Sequence, residues 1–189
     1  MKKIFPTRKK GISFLSKKWI LAICLVSIAG NTPATQPPKS GKAYVVSNAH
    51  MDTQWLWTVQ TSIIDYIPRT IYQNLALIRD YPNYIFNFEG AVKYNWMKEY
   101  YPLDYEKVKE AIKNGRWHVS GSSWDANDVN VPSPESSFRN ILLGQEFYKK
   151  EFGLKSTDIF LPDCFGFGYT LFYIQNFISL CELSVMARI

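Results

Sequence analysis

Four short β-prone runs recur along the chain with helical stretches between them, and this alternation narrows the possible folds more than any other feature. The runs cover residues 43–48 (AYVVSN), 84–88 (YIFNF), 117–120 (WHVS) and 158–161 (DIFL). Each is rich in β-branched and aromatic residues. Between the first two, Ile67, Ile71, Leu75 and Ile78 recur at helical spacing over 63–80, with Pro68 as a break near the start. Residues 92–100 read as an aromatic-rich amphipathic helix. A further helix begins at Tyr105 behind an Asp104 cap, carries Val108 and Ile112, and stops at Asn114-Gly115. Ser133-Pro134-Glu135 opens another, with Phe138, Ile141, Leu142 and Phe152 on one side and Gly153 at its end. Strand and helix in alternation imply βαβ units and an α/β fold with a mostly parallel sheet. The alternation fits an open sheet and a barrel equally well. In both, ligands bind beyond the carboxyl ends of the strands.

The residues just past each run are therefore the ones to read for chemistry. Ala49-His50-Met51-Asp52-Thr53-Gln54-Trp55 succeeds the first, Glu89-Gly90 the second, Gly121-Ser122-Ser123-Trp124-Asp125 the third, and Pro162-Asp163-Cys164-Phe165-Gly166 the fourth. Each end carries a carboxylate, so several acids crowd one mouth. Like charges at close range repel unless a cation or protonation offsets them. His50 and Asp52 are two residues apart, so in extended backbone they point the same way and form half of a zinc site. Asp163 is a candidate third ligand. Trp55 and Phe165 stand close to these residues in sequence and suit the floor of a sugar site, although core packing explains most aromatics. Glu89, Asp125 and Asp128 either orient ligands and hydroxyls or cap the following helices. His118 lies inside a strand and reads as a core or surface residue.

The net charge of +6 suggests nucleic acid, but its distribution does not. Residues 1–40 contain eight Lys/Arg and no acid, which leaves 14 basic against 16 acidic residues in the rest. No basic stripe remains there for phosphates. The leader reads as a signal peptide over 1–30: a basic stretch ending at Lys17-Lys18, an apolar run from Trp19 to Ala29, then small residues. Residues 31–41 (NTPATQPPKSG) read as a linker. The expected location is secreted or periplasmic, with membrane attachment only through an uncleaved signal. Cys164 and Cys181 show no CxxC spacing, so neither a disulfide framework nor a thiolate metal site is implied.

Three spaced motifs carry a resemblance. His50-Met51-Asp52-Thr53-Gln54-Trp55, then Gly121-Ser122-Ser123-Trp124 with Asp128, then Pro162-Asp163-Cys164-Phe165-Gly166 resemble the family-38 glycoside hydrolases, the class II α-mannosidases, most of all bacterial members. The match runs in order over about residues 42–171. The resemblance implies an incomplete β/α barrel-like parallel sheet, the N-terminal part of a seven-stranded glycoside hydrolase/deacetylase type of catalytic domain. It implies one zinc ion that binds two hydroxyls of mannose, with His50 and Asp52 as ligands. Asp163 is then both a zinc ligand and the nucleophile of a retaining mechanism. Trp55 stacks beneath the sugar, Phe165 lines the site, and Asp128 joins them in binding the substrate, an α-mannosyl oligosaccharide or glycan.

Two departures accompany the match. The family's remaining zinc-binding histidine and its general acid lie farther along than this chain reaches, so the fragment itself is expected to be weak or inactive. Residues 172–189 do not align, as a shifted reading frame would produce. Two other readings stand beside this one: a zinc polysaccharide deacetylase, disfavoured by the presence of only two histidines, and a carbohydrate-binding or non-functional remnant.

Overall fold

A computed structural model describes residues 45–126 and 128–169, together with the backbone of Glu182–Ser184. The expected signal, the expected linker and the expected non-matching tail lie outside the described residues, apart from that backbone segment. The described elements are a mixed α/β arrangement around a small parallel sheet. Strands β1 (Ser47–Asn48), β2 (Phe86–Glu89) and β3 (Trp117–Ser120) form this sheet in the order β1-β2-β3, both pairs parallel. A fourth strand, β4 (Asp158–Phe160), was expected in the same sheet. It instead pairs in parallel with β5 (Glu182–Ser184) as a separate two-stranded sheet. Closure into a barrel is not seen among the described residues.

The alternating pleat divides the first sheet into two chemical faces. Phe86 and Phe88 of β2 and Trp117 and Val119 of β3 point to one side and are buried. Helices α1 (Ile67–Asp80), α2 (Ala91–Tyr100) and α3 (Pro102–Lys113) cover them with Ile67, Ile71, Tyr94, Met97, Tyr105 and Val108. The rings meet edge to face, Phe86 against Trp117 at 4.7 Å. The Tyr94 hydroxyl accepts from Trp117 Nε1 at 3.0 Å and donates to the Phe88 carbonyl at 2.9 Å, so this apolar core includes no unsatisfied indole. The opposite face is polar. Asn48 Nδ2 donates to the Asn87 carbonyl at 3.0 Å, Asn87 Nδ2 to the Ser47 carbonyl at 3.2 Å, and Ser120 Oγ to Asn87 Oδ1 at 3.3 Å.

The helices match the sequence expectations with local changes. Pro68 does not break the first one. A π-helical turn over Ser62–Tyr66, in which the Ile67 amide reaches back to the Ser62 carbonyl, precedes α1 and accommodates the ring. Helical structure begins earlier than expected, at Val59, because Thr58 caps it through the Thr61 amide. Helix α3 starts at Pro102 rather than Tyr105; Asp104 sits in its first turn and pairs with Lys107 at 2.7 Å instead of capping. Helix α4 (Pro134–Phe152) has the expected ends, with Ser133 accepting from the Ser136 amide and Gly153 left-handed at φ 67°. Its buried face differs from expectation: Ile141 is enclosed, but Leu142 is 57% exposed and Tyr148 takes its place.

Candidate functional site

Strand register builds the first half of the site. Asn48 is level with Asn87, and the alternation of side chains then brings His50, two residues on, beside Glu89 at the end of β2. His50 Nδ1 and Glu89 Oε1 lie 2.8 Å apart, and Glu89 is 3% exposed. This contact fixes the ring and turns Nε2 outward. Nε2 stands 3.4 Å from Asp52 Oδ1 and 3.8 Å from Asp163 Oδ2. The three residues read from sequence as metal ligands therefore converge, although 111 positions separate Asp52 from Asp163. The Glu89 hydrogen bond holds the His50 imidazole above its usual pKa, with burial acting in the opposite direction.

The second half comes from β4 and the loop after β3. Ile159 and Leu161 pack with Val129 and Ile141 in a small apolar cluster against which Phe138 and Cys164 also rest. That packing carries Asp163 toward His50. Burial pushes the Cys164 thiol pKa up, and Asp128 and Asp163 add to the effect. Asp128 is exposed, and its Oδ1 accepts from the amides of Asn130 and Val131 at 2.8 and 3.1 Å, closing a turn. Asn130 Nδ2 donates to the Gly166 carbonyl at 2.9 Å, which ties that turn to the loop bearing Asp163. Gly166 has φ 138°, and a Cβ there would stand 3.2 Å from Asn130 Nδ2. Trp55 and Phe165 are 72% and 93% exposed, so neither is used in the core and both present open ring faces.

Two features were not legible as functional. Thr53 has no role of its own in the sequence reading of the His50–Trp55 motif, yet its hydroxyl donates to both oxygens of Asp125 at 2.6 and 2.7 Å. Lys93 is fully buried in α2, and its ammonium has no hydrogen-bond partner among the described residues. Burial lowers its pKa, while Glu89, Asp125 and Asp52 draw it back up. Lys93 Nζ also lies 5.6 Å from the centre of the Phe88 ring. The one signal in sequence was a lysine inside the buried stretch of an amphipathic helix. Glu89, left open between orienting a ligand and capping a helix, makes its contact with His50 Nδ1.

The cluster offers one imidazole and two carboxylates. Ligand atoms around tetrahedral zinc are about 3.4 Å apart, given metal–ligand bonds of roughly 2.0–2.2 Å. The His50–Asp52 separation matches that spacing and the His50–Asp163 separation is slightly wider. The hydrogen-bonded carboxylate behind His50 is the usual support of a ligating histidine. The donor set thus fits zinc in type. Among the described residues, no group of three such side chains is drawn together closely enough to make a metal site. A separate cavity of about 610 Å³ lies beside the polar sheet face, lined by Asn87, His118, Ser120 and Asp158, and none of the cluster residues borders it.

Comparison with known proteins agrees with the sequence resemblance on the family, and the match extends past residue 171. The family model for the glycosyl hydrolases family 38 N-terminal domain matches residues 40–180. Alpha-mannosidase G of Dictyostelium discoideum is 36% identical over 144 residues, covering 73% of this chain and 13% of that protein. Alpha-mannosidase of Saccharomyces cerevisiae is 35% identical over 142 residues, covering 75% of this chain and 12% of its own length. The crystal structure of an alpha-mannosidase from Enterococcus faecalis V583 superposes with a TM-score of 0.63 at 26% identity, covering 74% of this chain and 16% of that one. The chain spans about an eighth of the length of the curated relatives it matches. On its motifs, its fold and these likenesses, the chain belongs to glycosyl hydrolase family 38 and carries that family's N-terminal domain.

Proposed function

We propose that this chain bears the zinc-binding and nucleophilic part of a retaining α-mannosidase that removes terminal α-D-mannose from oligosaccharides or glycans. One observation carries the reading: His50 Nε2 faces Asp52 and Asp163 together while Glu89 occupies Nδ1. His50, Asp52 and Asp163 would hold the ion, which supplies positive charge for binding two mannose hydroxyls. An Asp163 carboxylate oxygen attacks the anomeric carbon as the bond to the leaving oxygen breaks. Trp55 and Phe165 receive the apolar face of the sugar, and Asp128 contributes its remaining oxygen to a hydroxyl.

The proton for the leaving oxygen has to come from a second carboxyl. Asp125 and Asp128 are poorly suited, since Thr53 engages one and a turn engages the other. We therefore assign the acid to no residue of this chain. We also read the three-stranded sheet as the opening part of a β/α barrel, residues 42–171 as part of the catalytic domain, and residues 1–30 as a signal that directs the protein outside the cytoplasm.

Metal titration of the full chain tests this. One zinc per chain is expected, with binding lost in His50→Ala. Hydrolysis of an aryl α-mannoside by the chain alone should fall about two to four orders of magnitude below a complete family enzyme, because general acid catalysis is missing. Equal zinc binding by wild type and His50→Ala would remove the proposal.

A further inference from the structure

The loop that carries His50 and Asp52 has no regular structure before Val59, so side-chain contacts must set its shape. Glu89 fixes His50. No hydrogen bond among the described residues holds Asp52 directly; its position is inherited from Thr53. Thr53 is tied at two points. Its carbonyl accepts from Ser62 Oγ at 2.8 Å, and Ser62 is wholly buried and accepts in turn from Trp57 Nε1 at 2.8 Å. Its hydroxyl is shared between both oxygens of Asp125.

Asp125 is itself firmly placed. Its amide donates to Asn140 Oδ1 at 3.1 Å, and its carbonyl accepts from Asn140 Nδ2 at 3.1 Å. The Trp124 amide donates to the Asn140 carbonyl at 2.8 Å, and the Ala126 amide donates to Asp125 Oδ1 at 2.8 Å. Asn140 lies within the 19-residue helix α4. A continuous path of short contacts therefore runs from a rigid helix through Asn140, Asp125 and Thr53 to the residue next to Asp52.

We propose that Asp125 is a positioning residue which, through the Thr53 hydroxyl, holds Asp52 at metal-binding distance from His50. The assignment rests on the proposed zinc site. Its physical basis is preorganisation: a carboxylate that must first find its place yields affinity to ordering, and a supporting hydrogen bond removes that loss. Asp125 thus complements Glu89. One carboxylate supports the imidazole, the other supports the loop that carries its partner ligand.

The test compares Thr53→Val, which keeps shape and loses the hydroxyl, with Thr53→Ser, which keeps the hydroxyl. Asp125→Asn is the second, independent variant. Zinc affinity of the full chain is measured by competition with a chromophoric chelator, and the visible spectrum of the cobalt(II) form reports ligand geometry. Thr53→Val and Asp125→Asn should each bind zinc about 10- to 100-fold more weakly. Thr53→Ser should stay near wild type, and the double variant should be no weaker than the worse single one. The cobalt bands should change in Thr53→Val and not in Thr53→Ser. A purely structural contact would lower melting temperature in Thr53→Val with zinc affinity and cobalt spectrum unmoved, and that result overturns the inference. Wild-type chain that binds neither metal overturns the zinc reading, and this inference with it.

Discussion

Two buried side-chain atoms, Lys93 Nζ and Ser122 Oγ, have no hydrogen-bond partner among the described residues, and a third, Tyr148 Oη, has only the Gly90 backbone near it. Such atoms cost stability unless function or chemistry accounts for them. Lys93 is attracted by the charges of Glu89, Asp125 and Asp52, which oppose the effect of its burial. The Tyr148 ring packs against Tyr94 at 6.0 Å while burial drives its phenol pKa well above the ordinary value. The folded chain keeps a proton that the unfolded chain releases above about pH 10, so this stabilisation is complete below pH 10 and lost as pH rises further. Tyr148→Phe is expected to change unfolding free energy by about 1 kcal/mol or less at pH 7. It should also soften the loss of stability above pH 10, leaving the part due to Tyr94 and Tyr105, whose pKa values burial raises in the same way. Urea unfolding followed at several pH values checks this; identical alkaline losses in both proteins would contradict it.

Among elements, the close approach of α4 to the loop after β3 matters most for the site. A Cβ on Gly144 would fall 2.3 Å from the Ser122 carbonyl oxygen and 2.6 Å from the Trp124 nitrogen. These are backbone atoms, which cannot rotate away. Alanine gains about 1 kcal/mol over glycine in helix propensity, but overpacking costs typically 1–3 kcal/mol and here displaces the backbone that holds Asp125. Gly144→Ala should therefore destabilise the chain in thermal or urea unfolding, and an unchanged or higher stability would show that the helix can move. Arg116 secures the other end of the sheet, donating to the carbonyls of Ile78, Tyr81 and Tyr84 at 3.1, 2.6 and 2.8 Å. It thereby links the end of α1 to the strand entrances, a role that no local pattern of residues announces.

At the scale of the whole molecule, the proposed zinc joins segments that follow strands of two different sheets. His50 and Asp52 come after β1, whereas Asp163 comes after β4, which belongs to a different sheet. A ligand bound only by the folded state stabilises it by mass action, about 2.7 kcal/mol at a hundredfold excess over its dissociation constant. For a chain of this size that corresponds to a rise in melting temperature of roughly 5–10 °C. Zinc should raise the melting temperature by this order, chelator should reverse it, and Asp163→Ala should abolish the response. A zinc-independent melting temperature in wild type would show that the two sheets are not joined in this way.

Much of this was written locally in the chain. Hydrophobic alternation located β3 to the residue, and Ser133 with Gly153 marked both ends of α4, because strand pleat and helix capping depend on neighbours only. The H-x-D pair and the acids after each strand marked the site for a related reason: parallel strands deliver their trailing residues to one end. Pairing between distant segments was not legible. That β4 leaves the first sheet, that Glu89 takes the His50 Nδ1 side, and that Thr53 reaches Asp125 across 72 positions depend on register and helix packing, which no single segment encodes. Sequence determined which side chains were available for chemistry; tertiary structure decided which of them meet, because only the packed chain sets distances between residues far apart along it.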